Sequence, residues 1–128
     1  MTPPVEIILA RQLAGYLAVP VFVVSPEGDL LFYNEPAERI LGTRFEETGR
    51  MAMEEWATVF QPTDEQGIPL PPEDLPLVAT LEKREPAMRS FFIRGLDGEL
   101  RRIMTVSIPL LAQGKRFLGG MAMFWEVR

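Results

Sequence analysis

Between Gln61 and Pro76 the chain carries five prolines: Pro62, Pro69, Pro71, Pro72 and Pro76. Proline lacks a backbone N–H and fixes φ, so no long helix and no central strand can cross this stretch. Regular structure must therefore be built on either side of it. Ile68 and Leu70 interleave the prolines and supply apolar anchors, which predicts an ordered loop rather than a flexible linker. With 128 residues in all, the two sides fit one domain with an ordinary hydrophobic core.

On the N-terminal side, Pro20–Ser25 and Asp29–Tyr33 are short Val- and aromatic-rich runs flanking Pro26-Glu27-Gly28. That pattern predicts a β-hairpin. Asn34 follows as a good N-cap, Pro36 falls in a first turn where its missing N–H is harmless, and Gly42 suits a C-cap. A helix of about two turns is expected there. Thr43–Phe60 alternates Met51, Met53, Trp56, Val59 and Phe60 with glutamates and predicts one or two short helices. Beyond the prolines, Glu73–Arg84 reads as a helix with Leu77, Val78 and Leu81 on one face. Three strands follow, Arg89–Gly95, Leu100–Leu111 and Phe117–Val127, joined by tight connections. Pro109 marks an edge or a bulge in the second of them. Ahead of all this, Pro4–Ala18 carries Val5, Ile8, Leu9, Leu13, Tyr16 and Leu17 on one helical stripe, begun by Pro3 and Pro4 and stopped by Pro20.

Two absences limit the chemistry. The chain has neither Cys nor His. Thiolate nucleophiles, Cys- or His-ligated metals and haem, imidazole bases and Ser-His-Asp triads are all ruled out. Glu46-Glu47, Glu54-Glu55 and Glu73-Asp74 are sequence neighbours that diverge on a helix, which fits solvated surface rather than acid–base pairs. Asp29 and Asp97 stand next to turn glycines and are explained by turn formation. A net charge of −5 with no basic stripe argues against nucleic acid as a partner. No apolar run reaches membrane-spanning length, and Met1–Glu6 lacks the basic start of a signal peptide, so a cytoplasmic location away from the membrane is expected. Met1 favours a natural start.

The segments Pro20–Asn34 and Ala37–Gly42, the loop Asp64–Leu77 and the hairpin Ile93–Arg102 together resemble a PAS domain of the bacterial sensor type. The resemblance spans about residues 16 to 127. It implies an α+β fold: a five-stranded antiparallel sheet in spatial order 2-1-5-4-3 with short helices on one face. The amphipathic helix would occupy residues 1–19 and the PAS-like domain residues 20–128. It further implies a sensory, signal-transducing or protein-interaction role without catalysis, with a histidine kinase or regulator as output partner. A curved-sheet enzyme of the ketosteroid-isomerase kind is the rival architecture. The flavin-photoadduct subclass needs a Cys and the haem subclass a His, so no cofactor is expected. Many PAS domains end in a D-I-T-like motif; here Glu126-Val127-Arg128 stands in that place.

Strand alternation then sorts the candidate sites. By similarity to PAS domains, Phe22, Val24, Gly120, Ala122 and Phe124 face the helices. An inner pocket would be lined by Phe22, Val24, Trp56, Thr105, Ser107 and Phe124, either binding a small ligand or forming plain core. Thr105 and Ser107 share a face that points either into it or to solvent. Met121, Met123 and Trp125 fall on the opposite face, joined by Met104, Val106 and Ile108 unless a bulge near Pro109 changes the register. That apolar outer face must be covered. The helix stripe Ile8, Leu9, Leu13, Tyr16 and Leu17 matches it, from the same chain or across a homodimer. A sensor with a ligand and a pure dimerisation module with a filled core both remain open.

Overall fold

The computed structural model describes residues 4–127. Met1, Pro3 and Arg128, which entered the expectations above, lie outside the described residues. Helix α1 is Val5–Tyr16. Strands β1 (Val21–Val24) and β2 (Leu30–Tyr33) form the hairpin. Helices α2 (Glu35–Leu41), α3 (Phe45–Thr48) and α4 (Met53–Val59) follow. After the prolines come α5 (Pro76–Lys83) and strands β3 (Ala87–Arg94), β4 (Leu100–Leu111) and β5 (Phe117–Glu126). The strands form one antiparallel sheet in the order β2-β1-β5-β4-β3, as expected.

The proline segment is ordered but differs in detail. Thr63 exchanges backbone hydrogen bonds with Phe92 at 2.9 Å each, so the loop lies along the edge of β3. Leu70 is buried but Ile68 is exposed; Pro62, Leu75 and Pro76 are the other apolar anchors. The expected helix from Glu73 starts at Pro76 instead, after a short 3-10 turn over Pro72–Asp74. Steric conflict with the Pro76 ring holds Leu75 extended (φ −78°, ψ 135°), and an extended residue cannot continue a helix.

Helix α1 packs on its own sheet, though not through the expected stripe. Ile7 and Ala14 are buried, and with half-buried Leu17 they close on Val21, Val23, Leu118, Met121 and Met123. Val5, Ile8, Leu9, Leu13 and Tyr16 point away from that contact and are exposed. The guanidinium of Arg11 also lies over the Phe32 ring, 4.9 Å from its centre.

One buried side chain ties these parts together. Asn34, 2% exposed, caps α2 as expected: its Oδ1 accepts from Ala37 N at 3.2 Å. The same oxygen accepts from Val21 N at 2.9 Å, and Nδ2 donates to Ala14 O and Val19 O, each at 2.9 Å. Two backbone donors face the oxygen and two backbone acceptors face the amide nitrogen, which fixes the orientation of the amide. At the far end of α2, Gly42 closes the helix with φ +77°. A Cβ there would sit 2.6 Å from Asp97 N, so position 42 needs glycine for both backbone angle and space. Leu96 N bonds to Leu41 O at 2.8 Å, and Arg101 donates to Ile40 O at 2.8 Å while pairing with Asp97 at 2.8 Å. The β3–β4 turn therefore caps the helix.

Replacing Asn34 by Ala removes four hydrogen bonds, three of them buried, leaves Val21 N and Ala37 N without this acceptor and removes a helix cap, so stability should fall by about 2–3 kcal/mol, read as a lowered denaturant midpoint. Asn34→Asp keeps the shape but turns a carboxylate oxygen toward Ala14 O and Val19 O; it should be comparably damaging, and a neutral effect would contradict the assigned network. The hydrogen bonds from Arg101, and then the Glu99 N–H, lower the Asp97 carboxyl from 3.8 to about 2. This anchoring therefore contributes stability above pH about 3.8 that is lost as pH falls toward 2. A carboxyl NMR titration should place the Asp97 midpoint near 2, well below the ordinary aspartate value of 3.8.

Candidate functional site

The β4–β5 register decides which side chains meet. Thr105 lies opposite Phe124, Ser107 opposite Ala122, and Phe22 of β1 opposite Ala122 from the other side. All face the helices. The bulge in β4 falls between Leu110 and Leu111, beyond Pro109, so Met104, Val106 and Ile108 keep the outer face with Trp125, Met123 and Met121 as their partners.

On the inner face, a cavity of about 80 Å3 opens between the sheet, α4 and the start of α5. Four of the expected residues line it: Phe22, Trp56, Thr105 and Phe124. The Phe22 and Trp56 rings meet edge to face at 5.5 Å, and Trp56 Nε1 donates to Gly28 O at 2.7 Å. The indole N–H is thus occupied by the hairpin turn. Val24 belongs to the same core but lies outside the cavity lining. Ser107 is also outside it; its hydroxyl pairs with Thr80 of α5 at 2.7 Å, both residues fully buried. The side chains of Thr105 and Ser107 share a face, as alternation requires, but one turns to the cavity and the other to a helix.

Thr105 is the polar exception. The residue is 5% exposed, and its Oγ1 has no hydrogen-bond partner among the described residues. Buried hydroxyls are normally satisfied, so this one stands apart from the other buried hydroxyls of the core. Among the described residues that line the cavity none is charged. The remaining walls include Phe60, Leu75, Phe91, Ile93 and Ile103. The β3 and β4 members were legible as inward positions of a period-2 pattern; Phe60 and Leu75 sit at element ends where periodicity gives no signal. Next to the cavity, Tyr33 stacks on Phe22 with centroids 6.0 Å apart, and its hydroxyl bonds to Thr43 O at 3.1 Å. Burial raises the Tyr33 pKa above its usual value.

The volume decides what the cavity can hold. Clefts for drug-sized ligands run about 300–1,000 Å3, so a tricyclic flavin or a haem does not fit here without rebuilding the core. Among the described residues no cluster of acidic, His or Cys side chains could hold a metal ion.

On the outer face, α1 covers the β1 side of the sheet and leaves the β3–β4 side open. Trp125 is 43% exposed and Met88 is more so, while Met104, Val106 and Ile108 are half-buried. Tyr16, at 89% exposure, heads the uncovered helix stripe of Leu9 and Leu13. Of the eight residues expected at an interface, Ile8, Leu9, Leu13, Tyr16 and Trp125 are thus open to solvent. Leu17, Met121 and Met123 are partly buried within the chain. No described helix is long and apolar enough to cross a membrane.

No protein-family model matches the sequence, and no characterised protein matches it at the sequence level. Solved structures do match its shape. The PAS domain of BvgS from Bordetella pertussis aligns with a TM-score of 0.64 at 16% identity, covering 95% of this chain and 85% of that one. A PAS domain from a two-component sensor histidine kinase aligns at 0.60 and 13%, covering 96% and 97%. The light-state dimer of the fungal blue-light photoreceptor Vivid aligns at 0.64 and 10%, covering 85% and 78%. The chain has the PAS fold.

The two buried hydroxyls should answer oppositely to removal. Thr105→Val deletes an orphaned polar group and should raise stability by about 1 kcal/mol, whereas Ser107→Ala strands Thr80 and should lower it by about 1–2 kcal/mol. Urea midpoints of the two variants check the pair; equal signs would contradict the hydrogen-bond assignment.

Proposed function

We propose that this chain is a non-catalytic sensory and signal-transduction module of the PAS fold. Residues 20–128 form its body and residues 1–19 its docking helix, and it acts in the cytoplasm. Its inner cavity takes a small molecule. Its outer face associates with a second copy of the chain, and the pair passes the signal to a histidine kinase or regulator. The observation that carries the ligand part is the apolar inner cavity of about 80 Å3 that Phe22, Trp56, Thr105 and Phe124 help to line. Support for the interface comes from exposed apolar side chains on two elements, Trp125 and Met88 on the sheet and Ile8, Leu9, Leu13 and Tyr16 on α1. A two-fold contact would set the exposed stripe of each helix against the partner's sheet. Shape neighbours from a sensor histidine kinase and a photoreceptor dimer fit the same role.

Inside and outside are linked by one strand. Phe124 lines the cavity and Trp125 is exposed on the outer face. A ligand that displaces Phe124 would tilt β5 and change how Trp125 is presented, given two arrangements of the interface to choose between. The small volume of the cavity favours a second reading, in which the core is effectively filled and the domain only dimerises.

Sedimentation should show a wild-type dimer that Trp125→Glu dissociates, while Lys115→Glu leaves it intact. A wild-type monomer at high concentration, or an undisturbed Trp125→Glu dimer, removes the interface. Native mass spectrometry of freshly purified protein separates the two readings, since a retained adduct of small mass supports the sensor.

A further inference from the structure

We infer that the groove between α1 and the β2 edge of the sheet is a binding site for a small amphipathic carboxylate, a monoanion carrying a ring or a short alkyl chain. The groove has a volume of about 420 Å3 and shares no lining residue with the inner cavity. Its apolar wall is made by Ile7 and Ile8 of α1, Val23 of β1, and Leu31 and Phe32 of β2. Two exposed arginines also line it: Arg11 of α1 and Arg50 of the segment before α4. Met51 O accepts from Leu30 N at 2.7 Å, which holds that segment against β2. Sites for small molecules run about 300–1,000 Å3 and combine an apolar lining with a few polar groups, and this groove has both properties.

The charge pattern selects the ligand. The chain as a whole carries −5. Arg39, Arg44, Arg101, Arg102 and Arg116 each pair with a carboxylate of the chain. Arg11 and Arg50 have no such partner among the described residues, and no described acidic residue lines the groove beside them. The Phe32 ring holds the Arg11 guanidinium 4.9 Å from its centre, which orders the side chain without using a carboxylate. A guanidinium binds a carboxylate through two parallel hydrogen bonds, whereas an ammonium ligand would meet two like charges. An exposed ion pair alone is weak, and an apolar wall alone does not choose between charges. A carboxylate with an apolar body uses both at once. Among the described residues, Ile8 is the one member of the groove that also belongs to the stripe proposed to meet a second copy, so the site is not built from that contact.

Four probes at neutral pH test this: phenylacetate, the uncharged phenethyl alcohol, phenethylammonium, and acetate as the charge without the ring. The readout is the NMR signal of the Ile7, Ile8, Val23 and Leu31 methyl groups. We expect saturable binding of phenylacetate, binding of the alcohol and of acetate weaker by about fivefold or more, and no response to the ammonium. Arg11→Gln and Arg50→Gln should each weaken phenylacetate by about fivefold, while Lys115→Gln, outside the groove, leaves it unchanged. Added salt checks the wild-type protein without any substitution: it should weaken phenylacetate and spare the alcohol. No saturable response to phenylacetate, the alcohol or the ammonium binding as tightly as phenylacetate, or an affinity unchanged in either arginine variant overturns the inference. Methyl signals that move on dilution of the protein and not with phenylacetate would assign the groove to the contact between copies, and overturn it as well. None of these outcomes bears on the inner cavity, whose occupancy is read separately by the retained adduct.

Discussion

A single buried amide sets the geometry on which both faces of the sheet depend. Asn34 joins the last turn of α1, the entry to β1 and the first turn of α2 through four hydrogen bonds of 2.9–3.2 Å. Each links backbone groups that no regular ladder could serve, because they lie at element ends. Their loss would free α1 from the outer face and α2 from the inner one at the same place. The Arg101–Asp97 fork does the corresponding work at the other end of α2. Between these two fixed points the helix has little freedom to slide, and the inner core is built against it.

The sheet then divides the apolar residues into two separate clusters. Phe22, Phe124, Trp56 and Thr105 lie on the helical side, and Val21, Val23, Leu118 and the buried face of α1 on the other. Adjacent residues of β5 serve opposite clusters. That is a direct consequence of the two-residue period, and it sets cavity-lining Phe124 and exposed Trp125 side by side on β5. The inner cluster is nearly complete, with one small space and one idle hydroxyl. The outer cluster is incomplete, because α1 spans only part of the sheet.

Much of the architecture was legible from local chemistry. The hairpin around Gly28, the Asn34 and Gly42 caps and the three C-terminal strands follow from turn residues and period-2 alternation. The inward facing of Phe22 and Phe124 was implied by the resemblance to PAS domains rather than by alternation, and the face of Thr105 stayed open between pocket and solvent. Within the chain, the helix stripe of α1 is not what docks: apart from Leu17 it is left exposed. Docking uses Ile7, Ala14 and Leu17 instead, which pack with Val21, Val23 and Leu118. The start of α5 was misplaced because the conformational effect of Pro76 falls on the residue before it. Ser107 and Thr105 could not be told apart, since strand alternation gives the face but not the partner; Thr80 reaches Ser107 from a different element 27 residues away. The further contacts of Asn34 beyond its cap were hidden for the same reason, because their partners lie 13 to 20 residues away in sequence.

The central claim is that occupancy of the inner cavity is felt on the outer face through β5. The chain contains two tryptophans, Trp56 on the cavity wall and Trp125 on the outer surface. Labelling both with 5-fluorotryptophan gives one fluorine NMR line for each face. Under xenon, which needs no hydrogen bond to enter an apolar cavity, the account predicts that both lines shift together along one saturation curve. A shift of the Trp56 line with the Trp125 line unmoved would contradict it.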